Sequence, residues 1–232
     1  MVFYLKINVL KRKIVTTSDG SKTIKIEDWN EHYHSKHGAI NEANHVFLKH
    51  GLLFFCNTYQ NNNIKLLEIG FGTGLNAFLT LIQVEKLNLC IKYTGIEAYP
   101  IKDNEINELN YPNLISEAHT KYFNKMHNAS WNKLHNITPN FSFKKENIRF
   151  ETISYKNAFN IIYFDAFGAR VQPELWTEFI FKIMYNALMI NGILVTYSAK
   201  GSVRRAMQKV GFIVERLSGP PGKREMLRAT KC

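Results

Sequence analysis

Apolar and polar positions follow two rhythms along the chain, and the change from one to the other is sharpest over residues 65–80, KLLEIGFGTGLNAFLT. Leu66, Leu67 and Ile69 make a short buried-strand run, after which Leu75, Phe78, Leu79 and Ile82 recur at helical spacing. Between them Gly70, Gly72 and Gly74 stand at alternate positions, where the backbone can take positive φ or approach a ligand closely. The stretch reads as strand, tight turn, helix, a unit suited to a nucleotide.

Upstream, the pattern from Val9 to Ile26 predicts a β-hairpin turning at Ser18-Asp19-Gly20-Ser21, followed by a helix carrying Ile40, Ala43, Val46, Phe47 and Leu48. Downstream, residues 91–97 form a second strand that ends in Glu97. A helix from Pro100 to Tyr111 is expected to stop at Tyr111-Pro112, and residues 113–140 mix a helical excursion with a loop. Residues 141–143 and 148–153 alternate like strand pieces, and residues 159–165 form a near-continuous apolar strand ending in Asp165. Pro173 opens a helix that runs to Leu188, Asn191-Gly192 closes it, and a buried strand follows over residues 193–197. A short basic helix over 203–210, a strand over 212–217, the stiff loop SGPPGKRE and a last edge strand from Met226 to Ala229 complete the chain.

This alternation predicts an α/β fold: a Rossmann-like, doubly wound, mostly parallel sheet with an antiparallel C-terminal strand and a small N-terminal β-hairpin extension. Residues 1–50 are expected to form the hairpin and a lid-like segment, and residues 51–232 the main domain.

The 232 residues are 45% hydrophobic, enough for a two-sided core in one domain. A formal net charge of +11 points to a polyanionic partner such as nucleic acid, whose phosphates Lys and Arg would neutralise. Cys56, Cys90 and Cys232 are odd in number and scattered, which suggests neither a disulfide framework nor a zinc site. Lys6 interrupts the first apolar stretch, no small-residue cleavage site follows it, and no apolar run reaches about 18 residues. A soluble cytoplasmic protein without a membrane partner is therefore expected. His32, His34 and His37 lie close together without an acid or Cys at metal-ligand spacing, so no metal is expected.

In open α/β sheets ligands lie beyond the carboxyl ends of the strands, which should bring the glycine turn, Glu97 and Asp165 to one crevice. Glu97 is spaced to reach ribose hydroxyls. Residues 72–77 formally satisfy GxGxxA, which keeps a dinucleotide oxidoreductase open. Glu68, however, stands where a dinucleotide-binding strand is usually apolar, and favours an amine-bearing cationic ligand such as S-adenosylmethionine. Asp165 is then placed to hold an acceptor's proton or an amine's hydrogens. A methyltransferase acting on another RNA or on a small amine, and a non-catalytic RNA-binding protein with a nucleotide-binding fold, are the other readings. Between Lys200 and Cys232 nine Lys or Arg face only Glu215 and Glu225, a candidate phosphate-binding surface.

The motifs EIGFGTGLN, IEAYP, YFDAFGARVQPELWT, LVTYSAKGSVRRAMQKVGF and GPPGKREMLRA, with HYHSKHGAINEANHVFL ahead of them, resemble the methyltransferase domain of the MnmC/MnmD family of tRNA wobble-uridine enzymes. The similarity runs over nearly the whole chain. It implies S-adenosylmethionine-dependent N-methylation of 5-aminomethyl-2-thiouridine in tRNA, with Asp165 as the catalytic residue. It also implies that Glu68, Gly70, Gly72, Gly74 and Asn76 line the methionine end, that Glu97 grips the ribose, and that Asp165 and Phe167 face the methyl group. Tyr33 and Ser35, in a segment with Gly38 and Glu42, would wall the pocket, while the charge excess after position 199 makes Lys200, Arg204, Arg205, Lys223 and Arg224 the residues expected to hold tRNA. The usual Gly-Asp pair for the adenine is missing, which leaves Glu146 and Glu151 as candidates.

Overall fold

The computed structural model describes residues 10–232; the expectations for the first nine residues lie outside them. Strands β1 (Arg12–Thr16) and β2 (Lys22–Ile26) pair antiparallel as the expected hairpin, with Arg12 opposite Ile26. Its turn is locked by the Asp19 carboxylate, which accepts from the Thr17 hydroxyl at 2.8 Å and the Ser21 amide at 3.1 Å. A two-residue strand, β3 (Glu31–His32), adds to β2 and makes a three-stranded sheet.

The helix expected before the glycine turn is a continuous helical run: α1 (Ala39–Ala43), a π-helical stretch (Asn44–Leu53) and α2 (Phe54–Tyr59). Gly51 lets it lie close to the sheet, because a Cβ there would meet the Tyr163 ring at 3.0 Å and Val195 at 3.1 Å. Strand β4 (Asn63–Ile69) then leads through the glycine turn into α3 (Leu75–Leu87), and β5 (Cys90–Ile96) follows.

The main sheet has eight strands. Besides β4 and β5 these are β6 (Leu134–Thr138), β7 (Phe141–Glu146), β8 (Phe159–Phe164), β9 (Leu188–Thr196), β10 (Ile213–Ser218) and β11 (Glu225–Thr230), in the order β10-β11-β9-β8-β4-β5-β7-β6. The pairs among β9, β8, β4, β5 and β7 are parallel, and β11 enters antiparallel beside β9. One face packs on the run from Ala39 and on α3 through Phe47, Phe78 and Tyr93. The other packs on α7 (Glu178–Ala187) and α8 (Gly201–Lys209) through Phe181, Met184 and Met207. Both faces are covered, so β4 and β8 read as apolar runs rather than alternating ones.

The structure corrects four local expectations. Tyr111-Pro112 does not only end a helix; after α4 (Asp103–Glu108) it starts α5 (Tyr111–Ile115), because Pro lacks only an amide that the first turn leaves unpaired anyway. Residues 148–153 form no strand: β7 is already paired on both sides, by β5 and β6, and the chain makes a 3-10 turn at Phe150–Thr152 that buries Phe150. The Pro173 helix is broken into a 3-10 turn (Pro173–Trp176) and α7, which Thr177 caps by accepting from the Ile180 amide. The final strand is internal, since β10 takes the edge outside β11. The helical excursion is α6 (Thr120–Asn128), and Thr138-Pro139-Asn140 turns β6 into β7.

Candidate active site

Because β4 lies between β5 and β8, its glycine turn emerges where their carboxyl ends also finish. A cavity of about 420 Å³ opens there, lined by Gly70, Gly72, Asn76, Glu97, Asp165 and Phe167 among others. The Gly70 and Phe71 amides both donate to Ile96 O at 3.0 Å, which folds the turn over the end of β5. Gly70 sits at φ +89°, and a Cβ on it would stand 2.6 Å from Asp165 O, so only glycine lets β4 and β8 end side by side.

Glu97 turns its carboxylate back to this turn, accepting from the Gly72 amide at 3.0 Å and the Tyr99 amide at 2.8 Å. Burial pushes its pKa up, against the pull of those amides and Arg12. Glu68 and Gly74, expected as lining residues, lie behind the wall instead. Glu68 is fully buried and accepts from Tyr93 Oη at 2.8 Å and Asn76 Nδ2 at 2.9 Å. Burial raises its pKa well above the ordinary value, with the charges of Asp165 and Glu97 adding to the effect. A Cβ at Gly74 would collide with the His127 ring.

Asn76, in the first turn of α3, links the buried acid to the cavity, since the same Nδ2 donates to Asp165 Oδ2 at 2.8 Å. Asp165 follows β8 directly, and its amide donates to Ile69 O at 2.9 Å. Burial first, and the nearby negative charge of Glu42 second, raise its pKa to about 7, against the Asn76 hydrogen bond and the Lys223 charge.

The N-terminal segment forms the opposite wall. Phe167 is held edge-on between Tyr33, with centroids 4.8 Å apart, and Trp29 at 5.7 Å. Tyr33 also stands against Gly72, where a Cβ would come within 3.2 Å of its ring. The Ser35 amide donates to Glu42 Oε2 at 2.8 Å, and Lys223 Nζ donates to Glu42 Oε1 at 2.6 Å. Lys223 thus points into the cavity, 3.8 Å from the centre of the Tyr197 ring, while its neighbour Arg224 is exposed. His34 spans Thr23 Oγ1 at 2.8 Å and Thr73 Oγ1 at 3.3 Å, and burial lowers its pKa to about 4, so it is a neutral strut. Among the described residues no group of three or more His, Cys, Asp or Glu is arranged to hold a metal.

Of the two adenine candidates, Glu151 lines the cavity with Arg149 and Phe150, whereas Glu146 is tied up by Lys144 and by Tyr155 Oη at 3.0 Å. Lys200, Arg204 and Arg205 lie at the start of α8, outside the cavity. Tyr197 and Gln172 also line the cavity without having been predicted to. The available signal for Tyr197 was an aromatic residue at the end of an apolar strand; Gln172 had none.

The matching family model, S-adenosyl-L-methionine-dependent methyltransferase, covers residues 111–232, just over half of the chain. The chain belongs to this family. S-adenosylmethionine-dependent methyltransferases use that molecule as their methyl donor, and the residues here fit it. The wall carries two buried polar atoms without a protein partner, Asn76 Oδ1 and Tyr99 Oη, in a cavity of small-molecule size. Two acids from neighbouring strand ends, Glu97 after β5 and Asp165 after β8, line the same cavity. The formal GxGxxA match is therefore not a dinucleotide site.

Relatives agree with the resemblance drawn from the motifs. An uncharacterized protein of Methanocaldococcus jannaschii is 26% identical over 94% of this chain and 59% of its own length. The tRNA 5-methylaminomethyl-2-thiouridine biosynthesis bifunctional protein MnmC of Nitrosospira multiformis is 26% identical over 84% of this chain and 33% of its own. The chain thus spans between a third and three fifths of these relatives. In fold it matches MnmC2 of Aquifex aeolicus with a TM-score of 0.75 at 24% identity, over 95% of this chain and 70% of that one. It also matches spermidine synthase of Thermotoga maritima at 0.55 and 15% identity, over 96% and 74%. Among the described residues no helix is long and apolar enough to cross a membrane.

Proposed function

We propose that this methyltransferase N-methylates the aminomethyl group of 5-aminomethyl-2-thiouridine at the tRNA wobble position, giving 5-methylaminomethyl-2-thiouridine. The observation that carries the reading is Asp165: a carboxylate at the carboxyl end of β8, beside Phe167, with a pKa raised to about 7. The name of the MnmC relatives supplies the nucleoside.

S-adenosylmethionine, when bound, supplies an activated methyl group, so the chain's own work is to position the acceptor, take its proton and exclude water. An aminomethyl group is mostly protonated at neutral pH and has to lose a proton to expose its lone pair. An ordinary aspartate is a weak base for that purpose; one raised to about 7 accepts the proton more readily. Gly70, Gly72, Asn76 and Glu97 would hold the donor, with Glu68 acting through Asn76 and Glu151 on the adenine side. Tyr33, Ser35 and Phe167 would close over it, residues 1–50 serving as the lid-like part and 51–232 as the catalytic part.

The tRNA surface is narrower than the run of charge suggests. Of the nine basic residues after position 199, Lys209 pairs with Glu178, Arg216 with Glu225, Lys223 with Glu42 and Arg228 with Glu215, and Lys231 donates to Asn157 and Leu188 O. Lys200, Arg204, Arg205 and Arg224 are left to meet phosphates. A cytoplasmic location would go with such a partner.

A free small amine is the alternative acceptor, favoured by how many acids face the cavity. Labelled S-adenosylmethionine offered with tRNA lacking the terminal methyl, with tRNA already carrying it, and with spermidine separates the two. Label in the first alone supports the proposal; label in spermidine and not in tRNA overturns it.

A further inference from the structure

Two acids reach the acceptor end of the cavity, and a lysine from the far end of the chain sits on one of them. We propose that Lys223 and Glu42 are a positioning pair for Asp165, in which Lys223 cancels the charge of Glu42 so that Asp165 alone faces the acceptor amine as a base. The proposal rests on the methylation of an amine argued above.

The pair is built into the wall. Glu42 is buried in α1, with one carboxylate oxygen on the Ser35 amide and the other on Lys223 Nζ. The Lys223 ammonium lies over the Tyr197 ring, and Tyr197 Oη donates at 2.8 Å to the carbonyl of Ala166, next to Asp165. The loop carrying Lys223 is pressed on the N-terminal wall, since Gly222 lies so close to the His37 ring that a Cβ would stand 2.2 Å from it. Lys223 is therefore fixed by two partners and a neighbouring contact, unlike the exposed Arg224 beside it.

An amine attacks only without its proton, and two bare carboxylates facing it would hold it as an ammonium and would keep a proton between themselves. Asp165 is surrounded by Glu68 behind Asn76, from β4 and α3, by Glu42 from α1, by Lys223 from the β10–β11 loop and by Tyr197 after β9. Glu42 holds its proton on and Lys223 draws it off, so the pair sets the pH at which Asp165 can take the acceptor's proton.

The test follows the Asp165 carboxyl carbon by NMR titration of the isolated protein, assigned with Asp165→Asn, alongside the pH profile of kcat/KM on tRNA. Lys223→Met, which keeps the stem on Tyr197, should move the Asp165 midpoint up by about one pH unit. Glu42→Gln should move it down, the double variant should return near the starting value, and Lys223→Arg should hold it. The acidic limb of kcat/KM should move in step. If the single variants lower the melting temperature or kcat while the Asp165 midpoint stays put, the pair is only structural and the proposal falls. If the midpoints move as stated but tRNA is not methylated, the pair stands and the acceptor reading fails.

Discussion

Asn76 Nδ2 donates to Asp165 Oδ2 over 2.8 Å, which ties the first turn of α3 to the end of β8 across the donor cavity. The other hydrogen of the same nitrogen goes to Glu68 Oε1. Asn76→Ala takes this donor from both acids, leaving Glu68 with Tyr93 Oη, so stability should fall by about 1–3 kcal/mol in urea denaturation. The loss should be larger at pH 8, where Asp165 is charged, than at pH 5, and S-adenosylmethionine affinity by calorimetry should fall with it.

Asp165 itself should cost the fold stability. Its folded pKa of about 7 lies above the ordinary aspartate value, so between about pH 4 and 7 the folded chain binds the extra proton and stability declines as pH rises. Asp165→Asn removes that penalty. It should be more stable than the parent at pH 8 by about 2–4 kcal/mol in urea denaturation, with little difference at pH 4, while methyl transfer falls by about 10²–10⁴. Equal stability at pH 8 would argue against the buried, proton-holding Asp165.

Much of this was legible in the sequence for a physical reason. Strands buried on both faces leave apolar runs, and the carboxyl ends of such runs are where an α/β sheet places its ligands, so Glu97 and Asp165 could be assigned to one crevice before any coordinates. Depth was not legible. Glu68 was expected to line the cavity, but Tyr93, on the neighbouring strand, and Asn76 enclose it. The inward turn of Lys223 depends on Glu42, 181 residues away, a pairing that no local pattern announces. The alternation over 148–153 misled because it marks burial of Phe150 and Ile153 and says nothing of whether a sheet edge is free to pair.

Gly20, in the hairpin turn, and Gly70, in the glycine turn, should separate conformational freedom from close approach. Gly20, at φ +83° with open space around it, should lose only about 1 kcal/mol on change to Ala. Gly70→Ala adds a Cβ against the Asp165 carbonyl at a similar φ, and should cost about 1–3 kcal/mol more, with weakened S-adenosylmethionine binding. Comparable losses in thermal unfolding would contradict the packing described at Gly70.

Arg204 and Arg205 should act on tRNA and not on the methyl donor. Charge reversal at both should weaken tRNA binding in filter assays and flatten its dependence on salt by a log–log slope of about 1.5–2. Calorimetry with S-adenosylmethionine should be unchanged. An unaltered salt slope would remove α8 from the RNA surface.

What this methyltransferase does turns on the identity of its acceptor. The protein is incubated with S-adenosylmethionine and tRNA whose wobble uridine carries the unmethylated aminomethyl group, and the digested nucleosides are resolved by mass spectrometry. The expected result is that 5-aminomethyl-2-thiouridine disappears and the nucleoside one methylene heavier takes its place, only when the methyl donor is present. Unchanged 5-aminomethyl-2-thiouridine, with donor bound and methyl groups found elsewhere or nowhere, would contradict it.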